Sequence, residues 1–409
     1  MTLIVLDNRP VYSMSYPKLL NRKKTAELLF YAALTIELVL MIVEKSEISF
    51  PYESYVFRVT FLLTLLCVLI TEHDKKQWLV IGIALVFTGI CYYLSGKNDL
   101  LRFSVFMLAA KDIDLKKAIR YSFYVSLSGF LLIALLSVCG IMGDIYLITD
   151  YGRQIADEKR YVFGFGHPNT LFSSVYALVL MWLFLYGSRA KAWQYTVLFV
   201  LSSIVSILTR TRTGIAVLAL TLILAVVLRI FPKLKDVKAL YILETIVSPV
   251  MCVLSAVVAA KCSQMVYLNE SFLGHKVPAI FWRIDGVLNY RISSLYYGAS
   301  GHGGILSSWR LFAHPGSDEY FDMGWVRLFY WYGIIPTMVI VVLLFMVINV
   351  CLKKRDIWTM LIFFSLSVYT LVEATFVSRY IGRNFFLLIM GVYLWHYLKK
   401  GEDLNAGKA

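Results

Sequence analysis

Two arginines stand in the hexapeptide Thr209-Arg210-Thr211-Arg212-Thr213-Gly214, between the apolar runs 195–208 and 215–228. The segment is too short for a free loop, so two membrane-crossing flanks would pin both guanidiniums at the membrane surface. A charge placed there costs about 3 kcal/mol unless something pairs with it. A planar guanidinium matches two oxygens of one anion, so a phosphate is the natural partner. The same residues also make an ordinary polar turn, and which side the turn faces decides between the two.

The elements that would hold this turn follow from composition. Of 409 residues, 59% are hydrophobic and only 16% charged, and the mean hydropathy is +0.70. A soluble domain of this length would carry more charge and show alternating polar faces. The predicted fold is all-α: a polytopic integral membrane protein of about twelve transmembrane helices. The expected spans are 26–43, 54–71, 78–95, 99–110, 121–143, 168–186, 195–208, 215–228, 240–260, 325–349, 357–373 and 385–398. The fourth and seventh are short enough to be tilted, broken or re-entrant. This divides the chain into an N-terminal tail (1–25), nine spans (26–260), a large extracytoplasmic loop (261–322), three further spans (323–398) and a C-terminal tail (399–409). No cleavable signal peptide is expected, because the first long apolar run starts only near Ala26. Five of the six cysteines lie within apolar runs, and none shows CxxC spacing, so they read as packing residues.

Basic residues set the orientation. Every second connection is lysine-rich, as in Lys75/Lys76, Lys116/Lys117 and Lys353/Lys354. This places both termini in the cytoplasm. The opposite face is rich in arginine instead: Arg58, Arg102, Arg153, Arg160, Arg210, Arg212, Arg283, Arg291, Arg310, Arg327, Arg379 and Arg383, against Lys45, Lys97, Lys159, Lys261 and Lys276. Topology needs only positive charge, so a switch to arginine points to bidentate anion binding. Snorkelling and cation–π contacts account for a few, such as Arg58 and Arg327. The +14 formal charge is explained mainly by topology and does not indicate nucleic-acid binding.

Three segments on the arginine-rich face carry further candidates. Gly164-Phe165-Gly166-His167-Pro168-Asn169-Thr170 combines glycines that permit close approach with a proline suited to a first helical turn. It is either a plain helix start or a place where His167 and Asn169 face a ligand at a positive helix end. Arg379 and Arg383 lie one turn apart after Glu373, which is a possible ion-pair partner for Arg379. In the large loop, Ile280, Ile284, Val287, Leu288, Ile292 and Leu295 follow helical spacing, predicting an amphipathic helix over 278–297 with Arg283 and Arg291 near one edge of its apolar stripe. A glycine-rich turn with His302 and the acidic group Asp318, Glu319 and Asp322 follow; these acids are candidates for a divalent cation, although no metal site is expected.

Four patterns carry a family resemblance: Thr211-Arg212-Thr213-Gly214 between two spans; FGFGHPNTL at 163–171; Arg283-Ile284 followed by Gly298 and Gly301; and DMGWVRLFYWYG at 322–333. In these, and in topology over nearly its whole length, the chain resembles the bacterial O-antigen polymerase and ligase superfamily, in its Wzy-type polysaccharide polymerase branch. The ligase branch carries a histidine in the segment that here holds Asp322, and His314 lies eight residues too early. That departure favours the polymerase branch and leaves the base assignment open.

The resemblance implies an enzyme of the bacterial cell membrane that polymerises undecaprenyl-diphosphate-linked oligosaccharide repeats for capsule, exopolysaccharide or O-antigen. The growing glycan moves to the non-reducing sugar of another lipid-linked repeat. On this view Arg212 and Arg283 hold the diphosphate, with Arg210, Arg160, Arg379 and Arg383 as further candidates and Arg291, His167 and Asn169 as other substrate contacts. A base must take the proton of the attacking hydroxyl: Asp322 first, then His302 and Glu319. No cofactor is implied; a chain-length regulator and a flippase of the same pathway are implied partners. The alternatives are a ligase moving polymer to a different acceptor, or a transporter or flippase of lipid-linked sugars. The latter would need charged or broken helices at mid-membrane and an internal repeat, of which only Glu37 is visible.

Overall fold

The expected spans fall mainly on helix, because a backbone surrounded by hydrocarbon must satisfy its N–H and C=O groups within its own segment. The computed structural model describes residues 16–149, 158–268, 271–272, 275–276, 279–296 and 304–398. Among them the helices are α1 (Tyr16–Lys45), α2 (Glu53–Ile70), α3 (Lys75–Ser95), α4 (Asp99–Ala109), α5 (Leu115–Val138), α6 (Pro168–Trp182), α7 (Ala192–Thr209), α8 (Arg212–Ile230), α9 (Lys238–Val257), α10 (Ser263–Leu268), α11 (Ala279–Val287), α12 (Gly324–Tyr332), α13 (Ile334–Lys354), α14 (Ile357–Val372) and α15 (Phe386–Leu398). A short hairpin pairs β1 (Tyr146–Thr149) with β2 (Glu158–Tyr161), Leu147 opposite Arg160 and Thr149 opposite Glu158. Among the described residues, nine helices are long and apolar enough to cross a membrane. Helices α4, α14 and α15, with 11, 16 and 13 residues, fall short of the roughly 20 that a hydrocarbon core requires. The molecule is thus predominantly helical, as a membrane protein of this composition should be.

The helices pack as one bundle. Helix α1 lies against α2 and α5; α4 sits among α2, α3 and α15; α9 packs on α13 and α14, and α8 on α14. Glu37 of α1 is buried and pairs with Arg102 of α4 at 2.9 Å. Thr60 donates to the same carboxylate oxygen at 2.6 Å, and the Phe57 ring lies 3.5 Å from the guanidinium. Arg102 also donates to the Arg379 carbonyl at 3.1 Å. One arginine of the arginine-rich face is therefore the partner of the intramembrane acid.

Two expectations are corrected. The span expected over 325–349 is two helices, broken at Gly333, whose φ of +101° suits glycine alone. A Cβ there would meet the Phe312 Cα at 2.6 Å. The chain at 310–313 lies in this gap and satisfies the freed backbone: Ile334 N–H donates to the Arg310 carbonyl, Ile335 N–H to the Leu311 carbonyl, and Ala313 N–H to the Tyr332 carbonyl. The helix expected over 278–297 is the shorter α11. It stops because the Asp285 carboxylate takes the Ile292 and Ser293 N–H groups at 2.9 and 3.3 Å, while Asn289 and Tyr290 enter the left-handed region.

The Glu37–Arg102 pair yields a first prediction. Arg102→Met strands a buried carboxylate and should cost about 3–5 kcal/mol of stability, whereas Glu37→Leu with Arg102→Met should recover most of it. Thermal unfolding in detergent reads both; equal losses in the two variants would refute the pairing as the cause.

Candidate functional site

At one end of the bundle, segments far apart in sequence surround a polar cavity of about 420 Å³. The start of α6 supplies His167, Asn169, Thr170 and Ser173, and the α7–α8 turn supplies Thr211, Arg212 and Thr213. The chain after α11 adds Asn289 and Arg291, and the approach to α12 adds Tyr320 and Asp322. Glu373 and Thr375 come from beyond α14, Arg383 precedes α15, and Arg160 comes from β2.

Local rules explain each placement. Thr209 ends α7, and Arg210 closes it in the left-handed region at φ 51°, so the chain reverses within two residues into α8. Gly214 lets α8 approach α6: a Cβ there would lie 2.3 Å from the Phe172 ring. Pro168 opens α6, and the Asn169 N–H donates to His167 Nδ1 at 3.2 Å. Burial holds His167 below the ordinary histidine range; Asp322 pulls the other way, and Arg160 and Arg291 add to the depression. The ring is therefore neutral near pH 7, and with Nδ1 accepting, its proton sits on Nε2.

Arg291 is the hub. Its Nε donates to Asp322 Oδ2 at 3.2 Å, Nη1 to Thr213 Oγ1 at 2.7 Å, and Nη2 to Glu373 Oε1. Asn169 Nδ2 donates to the same Glu373 oxygen at 3.2 Å. Arg291 and Glu373 are 4% and 2% exposed, whereas Asp322 is 39% exposed. The buried carboxylate thus fixes the guanidinium, and the exposed one stays accessible from the cavity. Glu373 lies beyond the last turn of α14; burial pushes its carboxyl up to about 7, with Arg291 opposing and Asp322 reinforcing the rise.

Several other arginines of this face are also held by acids. Glu158, 4% exposed, binds Arg160 (Nη2 to Oε2, 2.7 Å) and Arg210 (Nη1 to Oε1, 3.1 Å). Arg383 Nη2 contacts both Glu44 oxygens at 3.0 and 2.8 Å. Arg58 lies over Tyr55 and Arg327 over Trp331 and Tyr320, as expected for cation–π contacts. Arg212 is exposed and has no hydrogen bond or ion pair among the described residues. It is the cavity arginine best placed to accept an anion from solution.

The structure thus brings together Arg160, Arg212, Arg291, Arg383, His167, Asn169 and Asp322. It does not bring in Arg283, which is exposed on α11 outside the cavity; Arg291, carried past the end of that helix, stands there instead. Arg210 and Arg379 do not line the cavity either: Arg210 turns to Glu158, and Arg379 is exposed. Glu319 stays outside the lining, its carbonyl accepting from Trp331 Nε1 at 2.7 Å. His302 and Arg153 lie outside the described residues. Asp322 lines the cavity while Asp318 and Glu319 do not, so the three acids do not converge on one point. Glu373, expected beside Arg379, binds Arg291. Glu158 and Asp285 were not singled out, although Glu158 stands two residues from Arg160 on a strand and therefore on the same face.

A second cavity, apolar and of about 490 Å³, lies among α3, α4 and α12–α15. The segment after α14 separates the two: Glu373 and Thr375 line the polar side, Phe376 and Val377 the apolar side. Compared with protein-family models, curated proteins and solved structures, the chain matches none.

Two predictions follow from the hub. Arg291→Ala leaves Glu373 buried without its cation and should cost about 3–5 kcal/mol; adding Glu373→Gln should restore part of it, as read by thermal unfolding. The raised Glu373 pKa stabilises the protonated native state, so this group's contribution is full below the unfolded value near 4.3 and is lost as pH rises through about 7. Glu373→Gln should flatten the decline in unfolding temperature across that window; an unchanged slope would assign it to other groups.

Proposed function

We propose that the protein is a membrane glycosyltransferase that polymerises undecaprenyl-diphosphate-linked oligosaccharide repeats at the outer leaflet of the bacterial cytoplasmic membrane, with both termini cytoplasmic. The observation that carries this reading is the meeting of Arg212, unpartnered among the described residues, with an accessible carboxylate, Asp322, in one polar cavity at the end of an apolar bundle. A lipid diphosphate is both anionic and hydrocarbon-bound, and the apolar cavity beside the polar one suits such a molecule.

In this reading the anomeric carbon of the donor glycan is attacked by a hydroxyl of the acceptor's non-reducing sugar. The new glycosidic C–O bond forms as the bond to the diphosphate oxygen breaks. The bond's electron pair leaves with the diphosphate, whose growing charge is met by Arg212, with Arg160 and Arg383 nearby. The proton of the attacking hydroxyl passes to the Asp322 carboxylate. Arg291 holds Asp322 in place and, being committed to two acids, positions the base and does not bind the leaving group. Neutral His167 offers an Nε2 proton to a sugar or phosphate oxygen. A flippase supplying the lipid-linked repeat and a chain-length regulator are the partners the family resemblance implies.

Reconstitution tests the proposal. Purified protein mixed with its lipid-linked repeat should give a ladder of products on a gel. Arg212→Ala should lower the rate by about 10²–10³ and Asp322→Asn by about 10²–10⁴, both remaining folded. A ladder lost with Arg212→Ala alone would remove Asp322 from the role of base. Folded protein that forms no ladder but transfers polymer to a different acceptor would make it a ligase; one that moves lipid-linked sugar between leaflets without bond formation would make it a transporter.

A further inference from the structure

Beneath the polar cavity lies a void of about 10 Å³, room for one water-sized atom. Ser173, Thr375 and Arg383 line both spaces, so the void is the floor of the cavity. The last residue of α1, Lys45, also lines it and is 3% exposed.

The ammonium of Lys45 has three N–H donors. One goes to Ser174 Oγ at 2.9 Å, and the Phe130 ring lies 5.7 Å away. No carboxylate stands within ion-pair distance of Nζ among the described residues. The neighbouring Glu44 is held by Arg383. Arg383 in turn has a buried Nε without a hydrogen-bond partner among the described residues. Two basic side chains therefore border one small void with N–H donors unspent. A buried cation without a counter-charge is costly, and the cavity above opens toward solvent.

We propose that Lys45 and Arg383 form a second anion position at the floor of the cavity, filled by an oxygen of the phosphoryl group that lies deeper when a diphosphate binds. This rests on the anion-binding reading above and deepens it. Arg212 near the mouth and Lys45 at the floor belong to different elements and serve different phosphoryl groups. The site consequently prefers a diphosphate to a monophosphate.

Inorganic pyrophosphate and inorganic phosphate, titrated into the purified full chain in detergent by calorimetry, test this. The parent should bind pyrophosphate more tightly than phosphate. Lys45→Met should weaken pyrophosphate binding about tenfold or more, the worth of one charge-assisted hydrogen bond, and change phosphate binding less than about twofold. Arg383→Lys, which removes Nε and keeps the charge, should show the same selective loss and carries the comparison should Lys45→Met not fold. Lys45→Arg should retain part of the preference. A parent that binds neither ion overturns the anion-binding reading itself. A parent that prefers pyrophosphate, with the preference unchanged in the folded variants, overturns the floor position alone. Equal loss of both ions places Lys45 at the first position and likewise refutes the proposal.

Discussion

A single guanidinium, that of Arg291, ties the site together. It reaches the start of α8 through Thr213, the approach to α12 through Asp322, and the chain beyond α14 through Glu373. Three acceptors in three directions match the rigid fork of arginine and could not be met by the single point charge of lysine. Because Glu373 also accepts from Asn169, the start of α6 is drawn into the same network. The cavity exists where these helix ends are held at fixed spacing. The turn that delivers Arg291 is itself fixed by a buried acid, Asp285, through two backbone N–H groups.

Charge at this end of the bundle is rich but largely balanced. Glu158, Glu44, Glu373 and Asp322 hold Arg160, Arg210, Arg383 and Arg291. The fully buried pairs among them, Arg160 with Glu158 and Arg291 with Glu373, add little net stability over an apolar core, but they fix positions. Against that background the exposed Arg212, unpartnered among the described residues, and the buried Lys45 stand out, one at the mouth and one at the floor. The contrast also explains why arginine is preferred here: a guanidinium can hold a carboxylate with one pair of N–H groups and leave others for a ligand.

Much of this was legible in the sequence. Apolar run length marked where the long helices lie, since backbone satisfaction in hydrocarbon leaves little choice but helix; it did not show the break at Gly333, which the packing of residues 310–313 sets. The Arg212 turn, His167-Pro168-Asn169 and Asp322 were marked by polar residues held against apolar runs, and all of them meet. Arginine counting overreached because sequence shows cations without their partners: Arg102 serves Glu37, and Arg210 serves Glu158. Arg283 is the position the family resemblance implies, and the apolar periodicity, which continues past the real end of α11 at Val287, gives no sign that Arg291 is the one carried into the cavity. Leu295 keeps that period for another reason, being buried in a small core with Ala259, Phe321, Met323 and Val326. In the sequence Arg379 is a possible partner for Glu373, its near neighbour; across the bundle the arginine that Glu373 binds stands 82 residues away.

The contact between Gly214 and Phe172 reaches further than the turn it shapes. The Phe172 ring stacks on Tyr176 and leans on Tyr369, and these two tyrosines lie 5.0 Å apart, centroid to centroid. The position of Arg212 is thereby tied to three aromatic rings deep in the bundle. A side chain at 214 needs a smaller one at 172, and that change would loosen the packing around 369 in turn. These positions therefore behave as one packing block, in which size changed at one is felt at the others.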